Sequence, residues 1–232
     1  MIPLHDDIPS RRPAVVNYLL ILVSTLIFLY EIGLGSKAQT RLFFHWGLVP
    51  AHYAGVSLWA LMLAGKWARL LPLVTYIFLH GSWLHLIGNM LYLWVFGDNV
   101  EDRLGHFRYL ILYLGAGVAG GLMQVWSNPG ATGPTIGASG AIAGVLGAYL
   151  ISFPRARVIS LIPVGIFPLF IPIPAVIFLI LWFGLQLLNG MFSLQNVPVG
   201  GDVVAWWAHV GGFAAGIILL ALLRPRRQED YY

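Results

Sequence analysis

Four polar residues in otherwise apolar stretches carry groups that could act together on a substrate. Ser139 has a hydroxyl, His209 has an imidazole, and His85 and Asn89 lie four residues apart, which places both on one face of a helix. A hydroxyl beside an imidazole is the arrangement of a nucleophile and its base. Two side-chain donors suit the negative oxygen that develops during attack on a carbonyl. The set therefore predicts a nucleophile, a base and an oxyanion clamp.

Each of these residues also has a simpler structural interpretation. Ser139 could be the N-cap of the helix that follows it. His85 and Asn89 could form hydrogen bonds between membrane helices. His209 could be a packing donor, although ionisable residues inside membrane spans are rare and tend to mark function. It is the combination of the four that favours chemistry over packing.

Composition indicates where these residues must lie. Of the 232 residues, 59% are hydrophobic and 9% are charged, whereas a soluble domain carries about a quarter of its residues as charges. Five long stretches contain no Asp, Glu, Lys or Arg: 13–30, 70–97, 109–154, 158–201 and 203–223. A membrane-spanning helix needs about 20 apolar residues. The composition excludes a water-soluble monomer and predicts a multi-pass membrane protein.

The predicted fold is an all-α membrane protein with six transmembrane helices. Their predicted ranges are 13–33, 71–96, 107–126, 139–153, 174–191 and 203–223. The first is interpreted as a retained anchor, because no small-residue cleavage site follows it. Residues 1–12 and 224–232 are predicted to be short cytoplasmic segments flanking a membrane domain at 13–223.

Basic residues predict the orientation of these helices. Nine of them fall in alternate loops and four in the long first loop. By the positive-inside rule this places both termini in the cytoplasm. The protein is expected in the cell (plasma) membrane. The net charge of +4 is explained in this way, so no nucleic-acid partner is expected. The first loop, 34–70, is rich in Trp and Phe and is predicted to lie in the outer membrane interface.

The fourth predicted helix is too short to cross the membrane. Fifteen residues from Ser139 to Phe153 reach only about 22 Å. Because Arg155 and Arg157 fix its cytoplasmic end, Ser139 must lie below the outer surface. Non-helical backbone before Ser139 is tolerated at that depth only where protein surrounds it or water reaches it. The sequence thus predicts a water-filled depression with Ser139 at its floor.

Small residues are expected to bring the reacting groups together. Gly140 and Gly144 lie on one side of the fourth helix, and Gly212 and Gly216 have small-xxx-small spacing on the sixth. Such faces allow two backbones to approach closely. No Asp or Glu occurs in predicted helices four to six, so the sequence offers a Ser–His dyad and no acidic third member.

The chain resembles the rhomboid family of intramembrane serine proteases over nearly its whole length. The matching motifs are Gly137–Ala138–Ser139–Gly140, His85-x-x-x-Asn89, Ala208–His209 followed by Gly212 and Gly216, and Trp67-x-Arg69. The resemblance implies hydrolysis of transmembrane protein substrates near their outer ends. It implies Ser139 as nucleophile, His209 as general base, and an oxyanion hole formed by His85, Asn89 and the Ser139 backbone N–H. No cofactor or metal is implied, and the expected partners are substrate and lipid bilayer.

Two positions depart from the family pattern. Ala143 stands where an aromatic residue often supports the base histidine, so the sequence leaves open what holds the His209 ring, with Phe213 and Trp206 as nearby candidates. Ala68 separates Trp67 from Arg69, which are often adjacent.

Three alternative functions fit the sequence less well. A non-catalytic rhomboid-like protein that binds or escorts membrane clients usually lacks the serine or the histidine, and this chain has both. A channel or transporter would show internal repeats and further ionisable residues in its spans. A metalloprotease would carry a motif such as His-Glu-x-x-His.

Overall fold

The computed structural model describes residues 1–164, 167–195 and 205–223. These residues are mostly helical. They form nine α-helices: α1 (Val15–Ile32), α2 (Ser36–Trp46), α3 (Leu58–Leu63), α4 (Pro72–Thr75), α5 (Trp83–Leu104), α6 (His106–Ser127), α7 (Ser139–Ser152), α8 (Ala175–Gln195) and α9 (Trp206–Leu222). The same residues contain three strands: β1 (Ile2–Asp6), β2 (Arg157–Val164) and β3 (Phe167–Pro174).

Three helices in the described part of the chain are long and apolar enough to cross a membrane by themselves. They are α1, α6 and the segment Ala175–Ser193 of α8. A fourth unit, Trp67–Phe78 with Trp83–Leu104, qualifies only if its two bent parts are counted as one span. The helices α7 and α9 are apolar but shorter. The protein is therefore a helical membrane protein, and the count of six spans stays a prediction.

The second predicted helix is not continuous. The chain bends by 83° between Phe78 and Trp83, and α5 begins at Trp83 instead of residue 71. The Ser82 hydroxyl caps α5 by accepting from the His85 N–H at 3.2 Å. The His80 N–H donates to the buried carboxylate of Glu31 at 3.1 Å. The Glu31 side chain thus takes the place of the backbone carbonyl that would accept this bond in a continuous helix. His80 consequently lies in the bend before α5.

The same helix also extends beyond its predicted end at residue 96, to Leu104. The prediction was wrong because it took the charges after Gly97 as the start of a loop. Glu101 instead accepts from the N–H groups of Val16 and Asn17, at 2.9 and 2.7 Å, and so caps α1. Carboxylates are favourable at a helix N-terminus because of the helix dipole. The charged last turns of α5 are thus used to anchor α1.

A small antiparallel sheet corrects the all-α prediction. The strands lie in the order β1-β2-β3, and β1 from the N-terminal segment pairs with β2. The proline-rich passage before α8 forms β3, with Pro168, Pro172 and Pro174 in it. Proline lacks the N–H needed in a central strand but is tolerated at an edge, and β3 is an edge strand here.

Helix α7 lies at the centre of the helical bundle. Its residues from Gly140 to Tyr149 are all buried, and it packs against α5, α6, α8 and α9. In contrast, α1 and α8 each expose large apolar side chains, such as Leu26 and Leu185, as expected for surfaces that face lipid. The first residue of the central helix is Ser139.

Candidate active site

The segment before α7 is tied to the rest of the protein by backbone hydrogen bonds. Thr135 and Leu48 exchange N–H···O bonds of 3.0 and 2.8 Å, and the Gly137 N–H donates to the Tyr76 carbonyl at 2.8 Å. Gly137 has a φ of 122°, a conformation that side chains other than glycine rarely adopt. Gly137 and Ala138, directly before Ser139, are buried, so protein encloses the last irregular residues before α7.

Ser139 and His209 form a direct hydrogen bond. The distance from Ser139 Oγ to His209 Nε2 is 2.8 Å, within the range expected for a nucleophile and its base. The N-cap of α7 is Ala138, with no side-chain cap. The capping interpretation of Ser139 is therefore wrong, because its hydroxyl faces the histidine on α9.

The close approach of α7 and α9 brings these two residues together. A Cβ atom on Gly212 would overlap the Gly140 carbonyl, and one on Gly216 would overlap the Gly144 carbonyl. The glycines that the sequence singled out thus lie at the contact between the two helices. The described part of α9 begins at Trp206, which puts His209 in its first turn; the predicted start at residue 203 lies outside the described residues.

His85 and Asn89 lie on α5 beside the start of α7. A Cβ atom on Gly137 would stand 2.5 Å from His85 Nε2 and 3.7 Å from Asn89 Nδ2, so both side-chain nitrogens approach the backbone two residues before Ser139. Asn89 Nδ2 also lies 3.0 Å from Nε2 of the buried His80. His80 Nδ1 lies 3.2 Å from the Phe78 carbonyl, so its Nε2 is the nitrogen free to accept from Asn89.

Helix α8 supplies two neighbours of His209. Gln186 Oε1 lies 2.8 Å from His209 Nδ1, and the Trp182 ring centroid lies 6.0 Å from that of the imidazole at an interplanar angle of 37°. Trp206 stands perpendicular to the imidazole at the same centroid distance. Of the two candidates from the sequence, Trp206 thus contacts the imidazole, whereas Phe213 stacks on Phe183.

Sequence reasoning missed Gln186. Its only local signal is a lone amide four residues after Trp182 in an apolar span, which places both on one face of α8. Ala143, where an aromatic support was expected, is buried inside α7. Ala68 lies within a short 3₁₀ turn, Trp67–Arg69, whose Arg69 carbonyl accepts from the Tyr53 hydroxyl at 2.8 Å.

In the described ranges 1–164, 167–195 and 205–223, no group of three or more His, Cys, Asp or Glu side chains is placed to hold a metal ion. The arrangement that the structure does assemble is a hydroxyl, an imidazole and an amide in series, with two side-chain donors and a helix N-terminus beside them.

Comparison with known proteins identifies the family of this chain. A Rhomboid domain model matches residues 64–226. The chain belongs to the rhomboid family. The matched range includes Ser139, His209, His85 and Asn89, together with the bend before α5.

Several rhomboid proteins are similar to the chain. Rhomboid protease GluP of Bacillus subtilis is 34% identical over 92% of this chain and 36% of its own length. Rhomboid protein 1, mitochondrial, of Saccharomyces cerevisiae is 38% identical over 35% of the chain and 25% of its own length. The human presenilin-associated rhomboid-like protein, mitochondrial, is 29% identical over 63% of the chain and 36% of its own length. The matched region covers between 25% and 36% of the length of these three relatives.

Proposed function

We propose that this rhomboid protein is an intramembrane serine endopeptidase that hydrolyses transmembrane protein substrates near the outer membrane interface. The observation that carries the proposal is the 2.8 Å hydrogen bond between Ser139 Oγ and His209 Nε2. It joins α7 and α9, at residues 70 positions apart in the sequence. The similarity to a protein named as a protease over 92% of the chain supports the same reaction.

In the proposed reaction His209 acts as general base and then as general acid. Ser139 Oγ attacks the scissile carbonyl carbon while its proton passes to His209 Nε2. The tetrahedral intermediate collapses, the peptide C–N bond breaks, and the leaving amine takes the proton from Nε2. Water, deprotonated by the same nitrogen, then hydrolyses the acyl-Ser139 ester and restores the free hydroxyl.

The developing oxyanion is proposed to bind next to Gly137. His85, Asn89 and the Ser139 backbone N–H are the proposed donors, and the nearness of both side chains to the Gly137 backbone supports this assignment. The Ser139 N–H lies at the N-terminus of α7, where the helix dipole is positive. Because His80 accepts only one of the two Asn89 amide hydrogens, the other is available to the oxyanion.

The proposed topology places both termini on the cytoplasmic side of the plasma membrane. It counts α1, α5 with the bent segment before it, α6, α7, α8 and α9 as the six helices of a membrane domain at residues 13–223. The burial of α7 on all sides supports its position as the central short helix. Two relatives are named as mitochondrial proteins. Membrane fractionation tests whether this protein lies in the plasma membrane.

Labelling with a fluorescent fluorophosphonate tests the catalytic proposal. The purified wild-type protein in proteoliposomes should be labelled and should cleave a model single-span substrate. Ser139→Ala should abolish both, and His209→Ala should reduce both to background. Cleavage that persists in Ser139→Ala would refute the assignment of the nucleophile. A wild type that binds client helices without labelling or cleavage would instead indicate the non-catalytic alternative.

A further inference from the structure

Gln186 is a buried polar residue in α8, an apolar helix that also exposes large apolar side chains. It is 8% exposed, whereas its neighbours Leu185 and Leu188 are 56% and 52% exposed. An amide is costly in an apolar environment unless it is hydrogen-bonded. The described structure gives Gln186 a partner on another helix, His209 Nδ1 at 2.8 Å. This bond directs the amide towards the candidate active site.

The structure places the amide oxygen of Gln186 at His209 Nδ1, and this placement favours one tautomer of the imidazole. An amide oxygen can only accept a hydrogen bond, so a partner nitrogen at Oε1 must be the protonated one. With the proton on Nδ1, the neutral imidazole has a free lone pair on Nε2. That nitrogen is the one 2.8 Å from Ser139 Oγ. The opposite tautomer would place a hydrogen between Nε2 and the serine and prevent Nε2 from acting as a base.

Trp182 limits the rotation of the His209 ring. It precedes Gln186 by four residues on α8, and its indole lies at a centroid distance of 6.0 Å from the imidazole. Trp206 contacts the imidazole edge-on from the start of α9. The amide thus fixes the tautomer and the two indoles limit ring rotation. In this way α8 contributes to the geometry of a dyad whose two members lie on α7 and α9.

We infer that Gln186 is a positioning residue, the third member of a Ser139–His209–Gln186 relay that holds the base in its active tautomer. The inference rests on the proposed hydrolytic function. The described parts of α7, α8 and α9 carry no Asp or Glu that could orient the base. Gln186 would orient His209 in place of a carboxylate. An uncharged amide oxygen can accept a hydrogen bond from the neutral imidazole of the resting state. It also avoids the desolvation cost that a buried carboxylate would carry at this site.

The first test compares Gln186→Leu with Gln186→Glu. Leucine removes the acceptor, so kcat and the rate of fluorophosphonate labelling should fall by about 10- to 100-fold, with little change in KM. Glutamate keeps an acceptor of the same reach and should restore a large part of the rate. Gln124→Leu removes a buried amide of α6 outside the relay and serves as the matched control, expected to react at the wild-type rate.

The pH profile tests whether the side chain at position 186 faces His209 Nδ1. A carboxylate beside Nδ1 favours the protonated ring, so the acid limb of the labelling rate should move to higher pH in Gln186→Glu than in the wild type. His85 is the titratable group that interacts electrostatically with His209, and it is unchanged in every variant. An unaltered limb would show that the side chain at position 186 does not face Nδ1, which would refute the relay.

The possible outcomes distinguish the two proposals. A wild type that does not label refutes the proposed function itself. The relay alone is refuted if the wild type labels, Gln186→Leu labels equally fast, and Gln186→Glu has the wild-type pH profile. The proposed hydrolytic function would stand in that case. If Gln186→Leu does not fold, the profile of Gln186→Glu decides: a shifted acid limb supports the relay and an unshifted one refutes it.

Discussion

Gly212 of α9 lies against the backbone carbonyl of Gly140, the residue that follows the candidate nucleophile. A Cβ atom on Gly212 would overlap that carbonyl, and Gly216 has the same relationship with Gly144 one turn further along. Close helix approach through small residues is common in membrane proteins. Here it has a direct consequence for chemistry, because the same pair of helices carries Ser139 and His209.

Bulky residues at these glycines should therefore lower activity. We expect Gly212→Val and Gly216→Leu to force α7 and α9 apart, lengthen the Ser139–His209 bond and reduce cleavage of a model substrate by about tenfold or more. Proteoliposome cleavage assays measure this directly. Gly184→Ala on α8 is the control, since a Cβ there has no neighbour within 4 Å. Unchanged cleavage by both bulky variants would remove the packing argument.

Gly137 should tolerate no side chain. Its φ of 122° strains any other residue, and a Cβ would stand 2.5 Å from His85 Nε2. Gly137→Ala is expected to displace His85 and lower kcat by about 100-fold. Gly133→Ala in the same loop has open space around its Cβ and should behave like the wild type. Equal rates for the two variants would contradict the proposed oxyanion site.

The helical part of the site was predictable because its signals are local. The Gly and Pro residues before Ser139 and the apolar run after it predict a helix start at that serine, and α7 begins there. The spacing of His85 and Asn89 likewise predicts one helix face. Such patterns depend on residues close in sequence, so they can be recognised without knowledge of the tertiary structure.

Features that depend on distant residues were missed. The bend at His80 depends on the carboxylate of Glu31, 49 residues earlier, and the orientation of His209 depends on Gln186, 23 residues earlier. Strand β1 exists because it pairs with β2, more than 150 residues away in the chain. No local pattern in the sequence specifies these partners.

The Glu101 cap of α1 should contribute measurably to stability. Its carboxylate is buried and accepts from the Val16 and Asn17 N–H groups at 2.9 and 2.7 Å. Glu101→Ala leaves both donors without this partner and should lower the free energy of unfolding by about 2–3 kcal/mol. Glu101→Gln keeps one acceptor oxygen and should cost less. Unfolding in mixed micelles measures both, and an alanine variant as stable as the wild type would contradict the cap.

Asp6 should make the stability of the protein depend on pH. Burial raises the pKa of this carboxyl from 3.8 to about 7; the Tyr149 hydroxyl bond opposes the rise and the nearby Asp98 adds to it. Because the folded state holds the proton more tightly than the unfolded state, the stabilisation is complete below about pH 4. It is then lost as the pH rises towards about 7.

Asp6→Asn isolates this effect because asparagine resembles the neutral acid. Tyr149 and Asn99 both donate to the same oxygen, Oδ2 of Asp6, and an amide oxygen can accept both bonds. The apparent melting temperature of the wild type should fall between about pH 5 and about pH 8.5, whereas that of Asp6→Asn should fall less, leaving the variant the more stable at the higher pH. Asp7→Asn, at an exposed neighbour whose carboxylate accepts from the Arg157 N–H, should keep the wild-type trend. If Asp6→Asn followed that trend as well, another group would be responsible for the pH dependence.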